Sequence, residues 1–219
     1  MKKTEKAGVY ITGVVILLGI VYFFAHKTVV QNNSTSTPAS NTETTTAETE
    51  PKALSGLQTG PSPWTTSIDG LKDRLAAIGL PALSQEGTAL HIHQHLDISI
   101  NGASVPLPAG IGINETAGFI SPIHVHDSTG IIHVESPTIQ TFTLGQFFDI
   151  WGVKLTPTCI GGYCSSETAS LRIYINGKIY QGNPRDLELA AHQEIYIFYG
   201  TSQELPKIIP SSYQFPAGY

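Results

Sequence analysis

The pattern of apolar and polar positions divides the chain into three stretches. From Gly8 to Ala25 it is unbroken and apolar, GVYITGVVILLGIVYFFA, without one charge. Residues 26–55 follow, rich in Ser, Thr, Asn and Glu in no period, a composition that cannot offset its ordering entropy by burying surface. From residue 56 onward the pattern is periodic, and it switches between the helical and the strand period.

In SIDGLKDRLAAIGLP, Leu71, Leu75 and Ile78 form one helical stripe, Ser67 is placed to cap it, and Gly79 to Pro81 end it. From His91 the period becomes two. In HIHQHLDISI one face carries His91, His93, His95, Asp97 and Ser99, and the other carries Ile92, Leu96, Ile98 and Ile100, with Gln94 as the exception. Asn101-Gly102 is a type I′ turn signal leading into ASVPLP, whose prolines Pro106 and Pro108 suit a sheet edge. A second hairpin reads from IHVHDSTGIIHVE. Its turn is DSTG, with Ile123, Val125, Ile132 and Val134 on one face and His124, His126, His133 and Glu135 on the other.

The segment TFTLGQFFDIWG predicts a compact helix. Thr143 and Gln146 fit a capping box, Phe142 and Phe147 a hydrophobic staple, and Gly152 a C-terminal stop. Its stripe of Leu144, Phe147, Phe148 and Trp151 is a core face, because a lone helix must bury such a surface. LRIYINGKIY then reads as a hairpin turning at Asn176-Gly177, and EIYIFYG as a final strand. Together these elements predict an α+β domain over residues 56–219, a mostly antiparallel sheet with a short aromatic helix packed on one face and a mostly polar second face. The order of hairpins, helix and strands resembles a β-grasp arrangement, at the level of fold alone.

Charge gives the apolar run its meaning. Eighteen residues just suffice to cross a hydrocarbon core of roughly 30 Å as a helix. Lys2, Lys3 and Lys6 precede it, and Lys27 is the one basic residue close behind. The positive-inside bias then predicts a cytoplasmic basic tail (1–7), a transmembrane helix in the lipid bilayer (8–25), a flexible linker (26–55) and an extracytoplasmic domain (56–219) at the cell membrane. A cleaved signal peptide is the competing reading, but Phe23-Phe24-Ala25 puts a bulky ring where cleavage wants a small residue. The net charge is −5 and no basic stripe interleaves with aromatics, which excludes a nucleic-acid partner. Only two cysteines occur, Cys159 and Cys164 in TCIGGYC. An oxidising compartment predicts a short disulfide between them, with thiolate ligation of a soft metal as the alternative.

The candidate chemistry lies in the histidines. Six of the eight fall between His91 and His133, as H-x-H-x-H, H-x-H and H-x-E, each with a spacing of two. Imidazoles at i and i+2 leave the same face of a strand, and a neighbouring strand adds ligands from about 5 Å away. If the DSTG turn closes, His124 lies opposite His133, with His126 and Glu135 on the same face. His91, His93, His95, His124, His126, His133 and Glu135 are therefore the predicted ligands of a transition metal, with Asp97 and Asp127 as supporting carboxylates. Met1 is the sole methionine, which argues against thioether sites and leaves copper(II) or zinc as the metal. His192, in AAHQE, reads as an ordinary polar turn residue.

The stretches HIHQHLDISINGASVPLPAGIGI, HVHDSTGIIHVES and FTLGQFFDIWG resemble an uncharacterised family of membrane-anchored or secreted microbial proteins with histidine-rich strands. The resemblance covers about Ala89 to Gly152 and implies domain boundaries but no activity. Three functions stay open. One is a surface protein that captures, buffers or delivers a metal ion, with a neighbouring membrane protein as recipient. The second is a metal-dependent hydrolase or lyase with a three-histidine site. The third is a metal-free adhesion or assembly module with a pH-sensitive histidine face.

Overall fold

The computed structural model describes residues 54–219. The predicted basic tail, the membrane segment and nearly all of the predicted linker lie outside the described residues. Among those described, no helix is long and apolar enough to cross a membrane.

The domain is an α+β fold. Helix α1 (Leu71–Ala77) precedes the long strand β1 (Leu90–Ile100), followed by the short strands β2 (Ala103–Ser104), β3 (Ile113–Asn114), β4 (Phe119–Ile120) and β5 (Ile123–His124), then β6 (Ile131–Ser136). Helix α2 (Leu144–Trp151) leads to β7 (Cys159–Ile160), β8 (Tyr163–Cys164), β9 (Ser170–Ile175), β10 (Lys178–Tyr180) and β11 (Glu194–Gly200). The main sheet runs β10-β9-β11-β1-β6-β5, with β2 also on β1. All its pairings are antiparallel except the central one, where β1 and β11 run parallel from His95↔Glu194 to Ile100↔Tyr199.

Local chemistry shapes the elements as the pattern predicts. Asn101-Gly102 and Asn176-Gly177 both have positive φ at both residues, the type I′ requirement. Thr143 accepts from the Gln146 amide while the Gln146 side chain accepts from the Thr143 amide, which completes the capping box, and Gly152 closes α2 in the left-handed region. α2 buries Leu144, Phe147, Phe148, Ile150 and Trp151 in one core with Leu96, Ile98, Ile132, Val134, Ile195 and Ile197 from the sheet. Cys159 and Cys164 face each other across the β7–β8 hairpin and form the disulfide, Cα atoms 4.1 Å apart.

Two expectations are corrected. Ser67 does not cap α1; the cap position is Gly70 in the left-handed region, with no side-chain cap. Instead the Ser67 carbonyl, with those of Ser55, Asp69 and Ile150, accepts from the wholly buried Arg74 guanidinium, which ties the segment before α1 to the end of α2. The second face of the sheet is also less polar and less open than expected. Tyr174, Tyr196 and Phe198 on that face bury themselves against Leu205 and Ile209 of the C-terminal segment. The alternation of EIYIFYG therefore has two apolar faces, one turned to each side.

Candidate metal centre

Register builds the site. On the face opposite α2, β1 sets His91 beside Glu135 and His93 beside His133, and β5 sets His124 beside His133. Three neighbouring strands thus present His124, His133 and His93 in a row, as the DSTG hairpin predicted for the first two. His126 follows β5, its ring against His124 and His133 at centroid distances of 4.7 and 4.6 Å.

The nitrogen and oxygen atoms converge closely. His124 Nε2 and His126 Nε2 are 3.1 Å apart, and His91 Nε2 and His93 Nε2 are 3.2 Å apart. Glu135 Oε1 lies 3.2 Å from both His91 Nε2 and His133 Nδ1. Donors held about 2.0–2.1 Å from a tetrahedral zinc are about 3.3–3.4 Å from one another. The observed spacings lie close to the edges of such a polyhedron. His124 is further prepared by its surroundings: its Nδ1–H donates to the Ser121 carbonyl at 3.0 Å, which leaves Nε2 as the free lone pair.

Burial sets the protonation. His93, His124, His133 and Glu135 are buried, whereas the side chains of His91 and His126 are 53% and 44% exposed and form the rim. Loss of hydration pulls His93 and His124 down to about 4 and His133 to about 3, and neighbouring imidazoles add to the effect in each. Burial likewise pushes Glu135 up to about 7, helped by the nearby Glu86 carboxylate. At neutral pH these three imidazoles are neutral, the state in which they ligate metals.

The other predicted residues separate from this cluster. His95 shares the face of β1, yet both its nitrogens are engaged elsewhere: Nε2 with the Thr129 carbonyl and Nδ1 with Glu194 Oε2, each at 2.9 Å. Burial lowers its pKa, but the hydrogen bond and charge of Glu194 outweigh that, with help from Asp97 and Thr129, and the net shift is upward. With an acceptor oxygen at each ring nitrogen, His95 is biased toward its protonated form beside a buried carboxylate, and the structure does not bring it to the other five histidines. Asp97 lies with His95 and Glu194. Asp127 spends its carboxylate on the Thr129 amide and hydroxyl, holding the DSTG turn. Cys159 and Cys164 are committed to their disulfide.

Sequence reasoning missed four residues here. Glu86 reaches His126 Nε2 at 3.4 Å from the segment before β1. Glu194 holds His95. Tyr213 stacks on His95, and Tyr219 sets its ring 4.5 Å from that of His93 and 5.5 Å from that of His133. Only Glu194 carried a signal, as the one acid in an otherwise apolar strand. His192, read as a plain turn residue, has φ of 57° and places Nε2 3.0 Å from the Tyr219 carbonyl oxygen.

The donor set, imidazoles with one or two carboxylates, could hold a metal ion. Comparison with protein-family models, curated proteins and solved structures finds no match for this chain.

Proposed function

We propose that this protein is a membrane-anchored, extracytoplasmic transition-metal-binding protein that captures, buffers or delivers copper or zinc. The observation that carries the reading is the convergence of five imidazoles and Glu135 at donor spacings of 3.1–3.2 Å, the inner three held neutral by burial. A metal-free cluster must satisfy each facing pair of nitrogens with a single shared proton, and a divalent cation replaces those protons with stronger bonds. The disulfide supports an oxidising compartment, and the uncharged run 8–25 supports an anchor. The sheet order, with its parallel central pair flanked by antiparallel strands, supports the β-grasp-like reading of the fold.

The test is elemental analysis of the full chain, purified without a polyhistidine tag, exposed to equimolar copper, zinc, nickel, iron and manganese, and desalted. Stoichiometric retention of one metal, lost when His124, His126 and His133 become alanine, supports the reading. No metal above background overturns it.

A second reading, a metal-dependent hydrolase or lyase, is favoured by one observation. A pocket of about 300 Å³ opens beside the rim and is walled by Thr66, Ile68, Glu115, Thr116 and His126. A substrate held there would contact a metal ligand directly.

A further inference from the structure

We propose that the histidine face holds two metal ions rather than one, bridged by the Glu135 carboxylate. His124, His126 and His133 serve one ion, and His91 and His93 serve the other. The inference rests on the metal-binding reading above.

The donors outnumber the needs of one ion, and they are grouped. His124, His126, His133 and Glu135 bring one atom each within 4.8 Å of one another, and so do His91, His93 and Glu135, with Glu135 the member common to both sets. Each set contains its own close pair of Nε2 atoms, at 3.1 Å and 3.2 Å. One tetrahedral ion takes four ligands, so the first set is complete without His91 or His93. Their mutual approach would then serve nothing, although His93 is buried at the centre of the face and His91 reaches the same carboxylate oxygen as His133.

Glu135 occupies the position a bridge requires. Its Oε1 is 3.2 Å from a nitrogen of each set, because β6 carries it between His133 on its own strand and His91 across the ladder. The rings of His93 and His133, one from each set, meet edge to face at 4.6 Å, so the two positions adjoin. The sets also differ. Four protein donors close the first position, whereas three leave the second open to water or an incoming ligand at the exposed His91 edge. Glu86, beside His126, supplies a second carboxylate toward the charge of two dications.

The experiment titrates the metal-free full chain with copper(II) and, separately, with zinc, and measures metal per chain after desalting. The expected ratio is two. Electron paramagnetic resonance follows the copper series. The first equivalent gives an isolated copper(II) signal, and the second diminishes it, because bridged ions about 3.5–4 Å apart couple magnetically. His91→Ala combined with His93→Ala is expected to give one copper with the uncoupled signal, and Glu135→Gln is expected to abolish the coupling, so that whatever copper it retains gives the isolated signal. His91→Ala alone, at an exposed position, is the variant whose fold is least at risk, and it is expected to weaken the second equivalent at least tenfold. A ratio of one in the wild type overturns the second ion and leaves the metal-binding reading standing. A ratio of zero for both metals overturns both. Two ions whose signals add fully in the wild type overturn the bridge.

Discussion

The ring of Tyr213 lies flat on that of His95, centroids 3.7 Å apart and planes 8° from parallel. Stacked on one side and hydrogen-bonded at both nitrogens, His95 belongs to the framework. It links β1 to β11 through Glu194 and to the DSTG turn through Thr129. Replacing His95 with alanine leaves a 1%-exposed carboxylate without its partner and is expected to cost about 3–5 kcal/mol. Metal retention per folded chain is expected to stay unchanged, whereas His124→Ala abolishes or halves it. Urea denaturation alongside elemental analysis checks the contrast, and loss of metal with unchanged stability in His95→Ala would return His95 to the ligand set.

The metal-free protein is expected to lose stability as pH falls. Burial holds the folded-state pKa values of His93, His124 and His133 at about 4, 4 and 3, below the ordinary 6.5. The unfolded chain therefore takes up more protons between pH 6.5 and about 4, and folding weakens through that window. Glu135 works the other way between about 7 and 4.5, as one carboxyl against three imidazoles. The raised pKa of His95 contributes stability below 6.5 that is lost as pH rises through its folded value. Thermal melts in chelator at pH 7 and pH 4.5 should show a lower Tm at the acidic pH. Replacing His124 and His133 with glutamine should shrink that difference.

Among the described residues Arg74 has no carboxylate partner; its guanidinium is held by backbone carbonyls, including Ile150 O in the last turn of α2. Arg74→Ala leaves the buried Ile150 carbonyl without that partner, opens a cavity at a wholly buried side chain, and is expected to destabilise by about 3 kcal/mol. Arg74→Lys recovers only part of this, since an ammonium cannot span four acceptors as a planar fork does. Chemical denaturation of both variants tests the order.

Gly130 ends the DSTG turn with φ of 89°, and a Cβ there would meet His95 Nε2 and the Leu96 carbonyl oxygen at 2.8 Å. Gly130→Ala is expected to cost about 1–3 kcal/mol from backbone conformation, with a further loss from displacing the His95 ring. Refolding yield and the denaturation midpoint would report it; a variant as stable as the wild type would show that the turn relaxes freely.

Much of this protein was legible in its sequence because the informative signals are local. Two Asn-Gly turns, the Thr143–Gln146 box and the alternation in β1 and β6 each depend on residues a few positions apart, and the hairpin register that sets His124 opposite His133 follows from the DSTG turn between them. Contacts across long loops left no such trace. The carboxylates Glu86 and Glu194, the rings of Tyr213 and Tyr219 and the apolar patch under Leu205 and Ile209 reach the histidine face from distant parts of the chain.

The sequence by itself determined which residues can face the same way, since strand alternation is a property of the backbone. Tertiary structure decided which of them meet. A period of two placed His91, His93 and His95 on one face as equals, but β6 sets Glu135 and His133 beside the first two and only Ile131 beside the third, where the parallel strand β11 begins. Each strand brings its own acid, Glu135 to His91 and Glu194 to His95. The neighbouring strand, which no pattern within β1 can specify, thereby makes two of these histidines candidate ligands and the third a buried, hydrogen-bonded part of the framework.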